Sequence, residues 1–225
     1  MSARARRRPL ALAAAAALAV PAAGGLAAQH VVVGPQVVFG DYREVSANLH
    51  FRGAGVGAAA SLTWKDLSLD VSGTFIDYDP VDDPTGTLAS FKATEFDARV
   101  RYYVGGPASV EIGIVSREMD PEFEAQSVGA VTAGGRIDYL LGPGVRMRGR
   151  AGLLFAPKFS GGGTASPIGA IELGLGFTVD ALRGRLRLTA DYDFQRIART
   201  THYGSGEVDV PIQQSLARVG VALVL

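Results

Sequence analysis

The chain has 225 residues, which is enough for one domain, and it contains no cysteine. The lack of cysteine excludes disulfide scaffolds, thiolate metal sites and thiol nucleophiles. The 22 basic and 22 acidic side chains balance, so the chain lacks the basic surplus of nucleic-acid-binding proteins and we expect no nucleic-acid partner.

Residues 1–28 have the order of a secretory signal peptide. Four arginines between positions 4 and 8 precede an apolar run from Leu10 to Val20, and Pro21 and small residues up to Ala28 follow. This order is typical of a signal peptide, and the run is shorter than the roughly 20 residues that a spanning helix needs. We expect export by the general secretory route, cleavage near Ala27 or Ala28, and a mature domain of residues 29–225.

The mature domain is built from runs in which apolar and polar side chains alternate. Phe96, Ala98 and Val100, for example, alternate with Asp97 and Arg99. Such period-2 alternation predicts strands, and the runs are long enough for the 9 to 11 residues of a tilted membrane strand. In chain order, the ten candidate strands are 30–39, 48–63, 67–78, 91–104, 109–119, 126–141, 145–157, 168–179, 185–196 and 208–225.

The connections between these strands alternate in length. Residues 64–66, 105–108, 142–144 and 180–184 form short turns, and residues 79–90, 120–125, 158–167 and 197–207 form longer polar or glycine-rich loops. An even number of strands with this alternation predicts an all-β fold, a closed antiparallel transmembrane barrel of ten strands. Eight strands remain the alternative, because Pro35 interrupts the first run and cannot donate to a ladder.

A soluble barrel or a β-sandwich shows the same alternation, so the prediction of a membrane barrel rests on other features. One is a final strand that runs to the last residue, Leu225. Another is the position of the aromatic residues, which favour membrane interfaces. Those beside the short turns are Trp64, Tyr102, Tyr103, Tyr139 and Phe177, and those near the long loops are Phe39, Phe75, Tyr78, Phe91, Phe155 and Phe194.

Charged side chains that share one face of their strands are expected inside the barrel. Arg146, Arg148 and Arg150 recur at every second position, and each would cost about 2 to 4 kcal/mol facing lipid at the bilayer centre. The same argument, applied to the charged residues that share one face of the other strands, predicts a charge-dense, salt-bridged, water-containing interior. Its members are Asp70, Glu95, Asp97, Arg99, Arg101, Glu111, Arg117, Arg136, Asp138, Arg146, Arg148, Arg150, Glu172, Arg185, Arg187, Asp191, Asp193 and Arg218. Gly53, Gly55 and Gly57 either leave room for these arginines or ease the coiling of their strand.

Acidic residues gather near the long loops, among them Asp77, Asp79 and Asp120. Acidic, solvated loops are ordinary, and no spacing here matches an EF-hand loop. We therefore expect no metal site and no cofactor.

The chain ends in the pattern Arg218-x-Gly220-x-x-Leu223-x-Leu225. This ending resembles the insertion signal of the small bacterial outer-membrane β-barrels, of the OmpA-transmembrane, OmpX and OmpW kind, although a terminal Phe is commoner there. The resemblance, which also draws on the signal peptide and the ten runs, implies a location in the bacterial outer membrane. It also implies contacts with outer-membrane lipids and with the barrel-assembly machinery, and we expect a monomer.

Members of this family are structural anchors, adhesins, small pores or, less often, enzymes. We expect a non-enzymatic structural or surface-interaction role, with a narrow passive pore as the alternative. A second alternative is a protease or lipid A hydrolase using His50 or His202 with Asp191 or Asp193. The sequence has no G-x-S-x-G or H-E-x-x-H motif, so we assign no catalytic residue.

Overall fold

Antiparallel strands close into a single barrel in the computed structural model, which describes residues 30–81, 83, 86–121, 123–203 and 206–225, without the side chains of 166–168 and 202–203. The predicted signal peptide lies outside these residues. Ten strands are present in the described part of the chain, with two short 3-10 helices at Glu124–Gln126 and Leu182–Gly184. The strands are β1 (His30–Glu44), β2 (Leu49–Trp64), β3 (Leu67–Pro80), β4 (Phe91–Gly105), β5 (Ala108–Asp120), β6 (Val128–Gly142), β7 (Val145–Phe159), β8 (Thr164–Ala181), β9 (Leu186–Tyr203) and β10 (Gly206–Val224).

Each strand pairs with its neighbours along the chain, and β1 pairs with β10 to close the cylinder. The prediction of a closed ten-stranded antiparallel barrel is confirmed, and the eight-stranded alternative is wrong. Pro35 does not prevent closure. The β1–β10 register runs from Val33 opposite Leu223 to Gln36 opposite Gly220 and skips the positions between them, because proline has no N–H for the ladder.

Several strands are longer than the sequence predicts. β8 begins at Thr164, β9 runs to Tyr203 and β10 begins at Gly206, so most of the loops predicted at 158–167 and 197–207 are paired strand. The ladder there is made by backbone groups, and polar side chains do not interrupt it when both faces meet water. The alternation that marked the other strands is therefore absent from these segments.

The barrel has two different ends. One, which we call the turn end, carries the short connections after β2, β4, β6 and β8 and the chain end at Leu225. The other, the loop end, carries the connections after β1, β3, β5, β7 and β9. A bulge near the loop end changes the phase of β7, because Ala156 takes a positive φ of 47° and Ala156 and Pro157 together lie between the Val131–Phe155 and Gly129–Lys158 pairs, where β6 has one residue.

The outer surface carries a belt of exposed apolar side chains. Ile112 is 58 % exposed and Leu175 is 49 % exposed, although both lie in mid-strand. On β3 the belt runs from Leu67 to Phe75, about 26 Å along the strand at 3.3 Å per residue. Aromatic side chains mark both of its edges, with Trp64, Tyr102, Tyr139 and Phe177 toward the turn end and Phe39, Phe75, Phe155 and Tyr192 toward the loop end.

Three aromatics predicted for the belt edges do not lie there. Tyr78 and Phe91 are buried, and Tyr103 packs its ring against the guanidinium of Arg101, at 4.9 Å. All three share the inward face of their strands, so the phase of the strand overrides the preference of an aromatic ring for the interface.

No helix in the described residues is both long enough and apolar enough to cross a membrane.

Candidate functional site

The barrel interior is divided into two layers. The half toward the turn end is filled by charged side chains, which we call the ionic layer. The half toward the loop end is filled by apolar and aromatic side chains, which we call the apolar layer. Both layers are made by inward residues at alternate positions of the strands, with a change of phase on β7 at the bulge. The inward face of β4, for example, carries Phe91 and Ala93 at the loop end and Glu95, Asp97, Arg99 and Arg101 farther down.

Arg99 lies at the centre of the ionic layer and is 3 % exposed. Its guanidinium donates to Asp97 at 2.6 Å, to Glu111 at 3.0 Å and to Glu172 at 2.5 Å. Glu172 also accepts a hydrogen bond of 2.6 Å from Thr132. Arg99 is on β4 and Glu172 on β8, so this pair crosses the lumen and joins opposite walls.

A second group lies next to it, toward the turn end. Arg101 contacts Asp138 at 3.0 Å and Asp70 at 3.3 Å. Arg136 donates to the same Asp138 at 2.7 Å and lies 3.6 Å from Asp70. Ser61 donates to Asp70 at 2.5 Å. Two arginines therefore share two carboxylates across β3, β4 and β6.

The third group joins β7, β9 and β10. The Nε atom of Arg148 donates to Asp191 at 2.8 Å, and Arg150 contacts Asp193 at 2.8 Å. Arg218, from the last strand, also pairs with Asp193. These residues meet because β8 has glycine where it faces them.

Gly174 and Gly176 leave the space that this third group occupies. A Cβ atom at Gly174 would collide with Asp193 and Arg150, and one at Gly176 would collide with Asp191 and Arg148. By contrast, the space beside Gly53 is filled by Ile76 and Tyr78, and the space beside Gly57 by Thr74 and Gln36. The expectation that the β2 glycines make room for arginines is therefore wrong.

At the turn end, Asp180 contacts Arg187 at 2.7 Å and Arg146 at 3.5 Å. We had not placed Asp180 in the interior, because the sequence assigned it to a turn. Arg185, by contrast, is predicted to lie in the interior and does not. It lies in the turn after Leu182–Gly184 and is exposed. Because β9 begins one residue later, the alternation of strand faces does not apply to Arg185.

Uncharged polar side chains complete the ionic layer where it meets the apolar layer. Arg117 donates to Glu95 at 2.9 Å and to Gln195 at 2.8 Å. Gln214 donates to Glu95 and, at 3.1 Å, to the hydroxyl of Tyr78. The alternation of β9 and β10 places both glutamines on the inward face. The sequence-based prediction of the interior considers charged residues alone and therefore does not include them.

A cavity of about 30 Å³ lies among these groups, room for about two water molecules. Thr74 Oγ1, Gln214 Oε1 and Arg218 Nε are buried beside it without a protein hydrogen-bond partner. These are the kinds of atoms that buried water serves, so the ionic layer is suited to a few waters and not to an organic ligand.

The apolar layer begins directly above. The ring of Tyr78 stacks on Phe91 with centroids 4.9 Å apart, and Phe51 lies edge-on to Phe91 at 5.1 Å. Phe123, from the β5–β6 loop, joins this group 4.7 Å from Phe91. The described members of the layer are Tyr42, Phe51, Ile76, Tyr78, Phe91, Ala93, Met119, Phe123, Val128, Leu154, Phe159, Ala170, Ile197, Ile212 and Leu216.

The β5–β6 loop is held over the apolar layer by polar contacts. Gln126 donates to Glu44 at 3.0 Å and accepts a hydrogen bond from Arg199 at 2.5 Å. Arg199 also donates to the carbonyl of Gly162 at 2.6 Å and lies over the ring of Phe159. These contacts keep Phe123 in the barrel mouth.

His50 is not brought together with either of the aspartates considered for catalysis. His50 lies on the outward face of β2, 2.8 Å from Asp41. Asp191 and Asp193 lie inside, engaged by arginines. The side chain of His202 is not among those that the structure describes. Among the described side chains, no group of three or more His, Asp or Glu residues is placed to hold a metal ion.

The terminal pattern spreads over both faces of β10. Arg218 and Gly220 share the inward face, and Gly220 lies opposite Thr189. Leu223 is 56 % exposed on the outer surface and Leu225 is 73 % exposed. Recognition of this pattern by an assembly machinery stays a prediction.

No protein-family model and no curated protein matches this chain. Solved structures of similar fold include the Neisserial surface protein NspA, at 14 % identity and a TM-score of 0.42, covering 86 % of this chain and 96 % of that one. The outer membrane protease OmpT of Escherichia coli has 7 % identity and a TM-score of 0.45, with coverages of 89 % and 98 %. OprG of Pseudomonas aeruginosa has 9 % identity and a TM-score of 0.39, with coverages of 87 % and 95 %. All three are outer-membrane proteins. Similarity this low selects neither the OmpA, OmpX and OmpW group nor an activity.

Proposed function

We propose that this protein is a closed barrel of the bacterial outer membrane with a non-enzymatic role as a structural anchor or a surface-interaction protein. The observation that carries the proposal is the double closure of the lumen, by the ionic layer toward the turn end and by the apolar layer toward the loop end. The membrane location rests on a separate feature, the apolar belt.

The membrane location follows from which side chains face outward. The belt exposes large residues such as Ile112, Leu175 and Val219 around the barrel, whereas soluble proteins rarely expose a contiguous apolar patch larger than a few hundred Å². Charges such as Arg99 and Glu172 lie inside instead. This is the reverse of a water-soluble barrel and the arrangement that lipid requires, because closed sheets leave no unpaired edge in the bilayer.

The closed lumen argues against transport. A solute passing along the axis must break the contacts of Arg99 with Glu111 and Glu172 and then displace the ring cluster of Phe51, Phe91 and Phe123. Ten strands also form a narrow barrel, because eight are just filled by their own side chains and open porins have 16 or more.

A planar-bilayer measurement on the refolded mature chain tests this proposal. We expect no steady single-channel openings from the wild type, because both layers block the axis. Arg148→Ala alone should also stay closed, since it removes one member of the ionic layer and leaves both the Arg99–Glu172 contact and the apolar layer in place. Steady openings from the wild type would reject the closed barrel and support the narrow pore.

A combined variant shows whether the measurement can detect an opening. Arg99→Gln and Arg148→Ala, combined with Phe91→Ala and Phe123→Ala, weaken the cross-lumen ion pairs and thin the apolar layer at once, and we expect this variant to conduct. The matched control combines Phe91→Ala and Phe123→Ala without the arginine changes, and it should conduct less because the ionic layer remains. A combined variant that folds and stays closed would mean that these side chains are not the barrier.

A further inference from the structure

Basic side chains form a row on the outer surface of the barrel, near the loop end. Arg196 on β9 pairs in register with Gln213 on β10, Gln213 with Arg43 on β1, and Arg43 with His50 on β2. Arg52 lies on the same outward face of β2, two residues beyond His50. We call Arg43, His50, Arg52, Arg196 and Gln213 the basic row.

The arginines of this row are available to an external ligand. The side chain of Arg52 is 66 % exposed and that of Arg43 is 50 % exposed, and Arg196 is exposed too. Neighbouring strands are about 4.8 Å apart, so the Cα atoms of Arg43 and Arg196, two strands apart, are separated by roughly 10 Å. Long arginine side chains can converge on one group across that distance.

The row carries a net positive charge. Asp41 is the carboxylate in contact with it, accepting from Arg43 at 3.0 Å, from His50 at 2.8 Å and from Arg52 at 3.4 Å. This single carboxylate cannot neutralise the two guanidinium groups that it braces.

Three further carboxylates lie near the row and keep their charge, but the described hydrogen bonds of Asp79 and Asp209 come from hydroxyl groups and not from the arginines of the row. Asp79 lies opposite Arg52 in the β2–β3 register and accepts a hydrogen bond of 2.6 Å from Ser90. Asp209, four residues before Gln213, accepts one of 2.8 Å from Thr200. Glu207 lies farther toward the loop end on β10.

The depth of the row matches a lipid headgroup. Arg196 lies two residues beyond Phe194 on the same outward face, and Arg43 lies four residues beyond Phe39, which places them about 7 and 13 Å along the strands above the aromatic edge of the belt. Headgroup regions extend roughly 5 to 8 Å beyond the hydrocarbon on each side. With a strand tilt of about 45°, the Cα atom of Arg196 lies about 5 Å above the aromatic edge, inside this region, and that of Arg43 lies about 9 Å above it, just beyond the region but within reach of it for an arginine side chain.

The neighbouring wall at this depth, which begins at β3, carries mostly acidic side chains. Asp77, Glu118 and Asp120 face outward on β3 and β5, and Lys92 on β4 lies between them, 3.7 Å from Asp77. The strand pairing therefore brings the arginines of the basic row together on β9, β1 and β2, and the exposed Lys158 on β7 lies apart from them.

We propose that the basic row binds the phosphate groups of an anionic glycolipid in the outer leaflet, a lipid A-type phosphorylated headgroup. The inference rests on the proposed membrane location. Guanidinium groups pair with phosphate in a bidentate, charge-assisted geometry, and His50 and Gln213 add donors between them. The aromatic side chains below the row, Phe39, Tyr192 and Phe194, then contact the acyl chains of the same lipid.

The test measures binding of purified lipid A to the refolded, detergent-solubilised mature chain. One arm uses bis-phosphorylated lipid A, a second uses the same lipid after enzymatic removal of both phosphates, and a third uses inorganic phosphate. We expect the dephosphorylated lipid to bind at least about tenfold more weakly, and inorganic phosphate to compete weakly because it lacks acyl chains.

The variants compare two sides of the same rim. Arg43→Gln, Arg52→Gln and Arg196→Gln combined should weaken binding of bis-phosphorylated lipid A about tenfold or more, and raised salt should weaken the wild type toward the same level. Lys92→Gln, on the acidic wall, removes one exposed charge at the same end and should change binding less than about twofold.

Equal binding of the two lipids by the wild type would overturn the inference, even if the triple variant fails to fold. Equal loss in the triple variant and in Lys92→Gln would also overturn it, because it would indicate non-specific attraction. Strong competition by inorganic phosphate would indicate that the ligand of the basic row is a soluble anion and not a glycolipid. A wild-type chain that folds without detergent would instead reject the proposed membrane location, so the two failures are distinguishable.

Discussion

One guanidinium, that of Arg99, holds three carboxylates in a buried position. Asp97 and Glu111 lie on its own side of the barrel and Glu172 lies across the lumen. A buried ion pair gains little over an apolar pair of similar volume, because both charges lose their hydration. Removing one partner is a different matter, since the remaining charge is then buried without compensation. Arg99 is therefore the residue on which the ionic layer depends most.

Arg99→Ala should lower the free energy of unfolding by about 3 to 5 kcal/mol, because it leaves Glu111 and Glu172 without their counter-ion. Urea-induced unfolding of the refolded protein in detergent or lipid vesicles measures this change. Arg185→Ala, which removes an exposed arginine from a turn, is the matched control and should stay within about 0.5 kcal/mol of the wild type. Similar losses in the two variants would contradict the central role of Arg99.

At the scale of a strand, one inward face changes its chemistry along its length. On β3 the inward residues pass from Asp70 through Thr74 to Ile76 and Tyr78. The outward face of the same strand passes in the opposite order, from Leu69 and Phe75 to Asp77. Polarity therefore inverts near the loop end, where the apolar belt stops outside and the apolar layer starts inside.

The orientation of the strands predicts opposite effects for one substitution at two positions. Leu175→Arg places a charge in the middle of the belt and should cost about 2 to 4 kcal/mol and reduce assembly, because Leu175 is 49 % exposed on the outer surface. Thr189→Arg places it on the inward face, opposite Gly220 and Thr178, beside the charged side chains of the ionic layer, and should be tolerated. Folded protein recovered from membranes measures both, and equal recovery would contradict the assigned faces.

At the scale of the whole molecule, the barrel combines a sealed interior with an apolar exterior. The strand ladder closes around the cylinder, with local interruptions beside Pro35 and at register shifts in the β4–β5, β6–β7 and β8–β9 pairs, so its stability does not depend on a single exposed edge. Strand side chains fill the lumen, and the loop residues Leu88 and Phe123 pack on them at the mouth.

The folded mature chain should need detergent or lipid to remain dissolved as a monomer, since its belt is apolar all round. It should also migrate differently in electrophoresis before and after boiling, because a continuous ladder resists unfolding by the detergent of the gel. The Leu175→Arg variant serves as the comparison for impaired assembly. A folded monomer in plain buffer would contradict the exterior described here.

Much of this arrangement was accessible from the sequence because a strand has a period of two. That period assigned Arg148, Asp191 and Arg218 to one face of their strands, and the cost of facing arginine to lipid fixed which face was inside. It also showed that the strands come in an even number with alternating connections. The period assigns residues to faces and says nothing about how far a strand continues where both faces are polar, which is why β8, β9 and β10 were predicted too short.

The sequence does not predict which residues meet across the lumen. Arg99 meets Glu172 at a separation of 73 residues, and the shear of the closed cylinder decides which inward residues share a level. The apolar layer was missed for a related reason. Tyr78 and Phe91 have the phase of inward residues, but an aromatic near a loop is equally typical of a membrane interface.

The amino-acid sequence by itself determined the alternating strands, their faces and hence the barrel class, because those depend on local periodicity and on the solvation of single side chains. Only the tertiary structure decided the ion-pair partners, the apolar closure of the mouth and the convergence of Arg43, Arg52 and Arg196 on one wall. Those features depend on the register between strands that closure brings together, in particular β1 with β10, and register is a property of the complete cylinder.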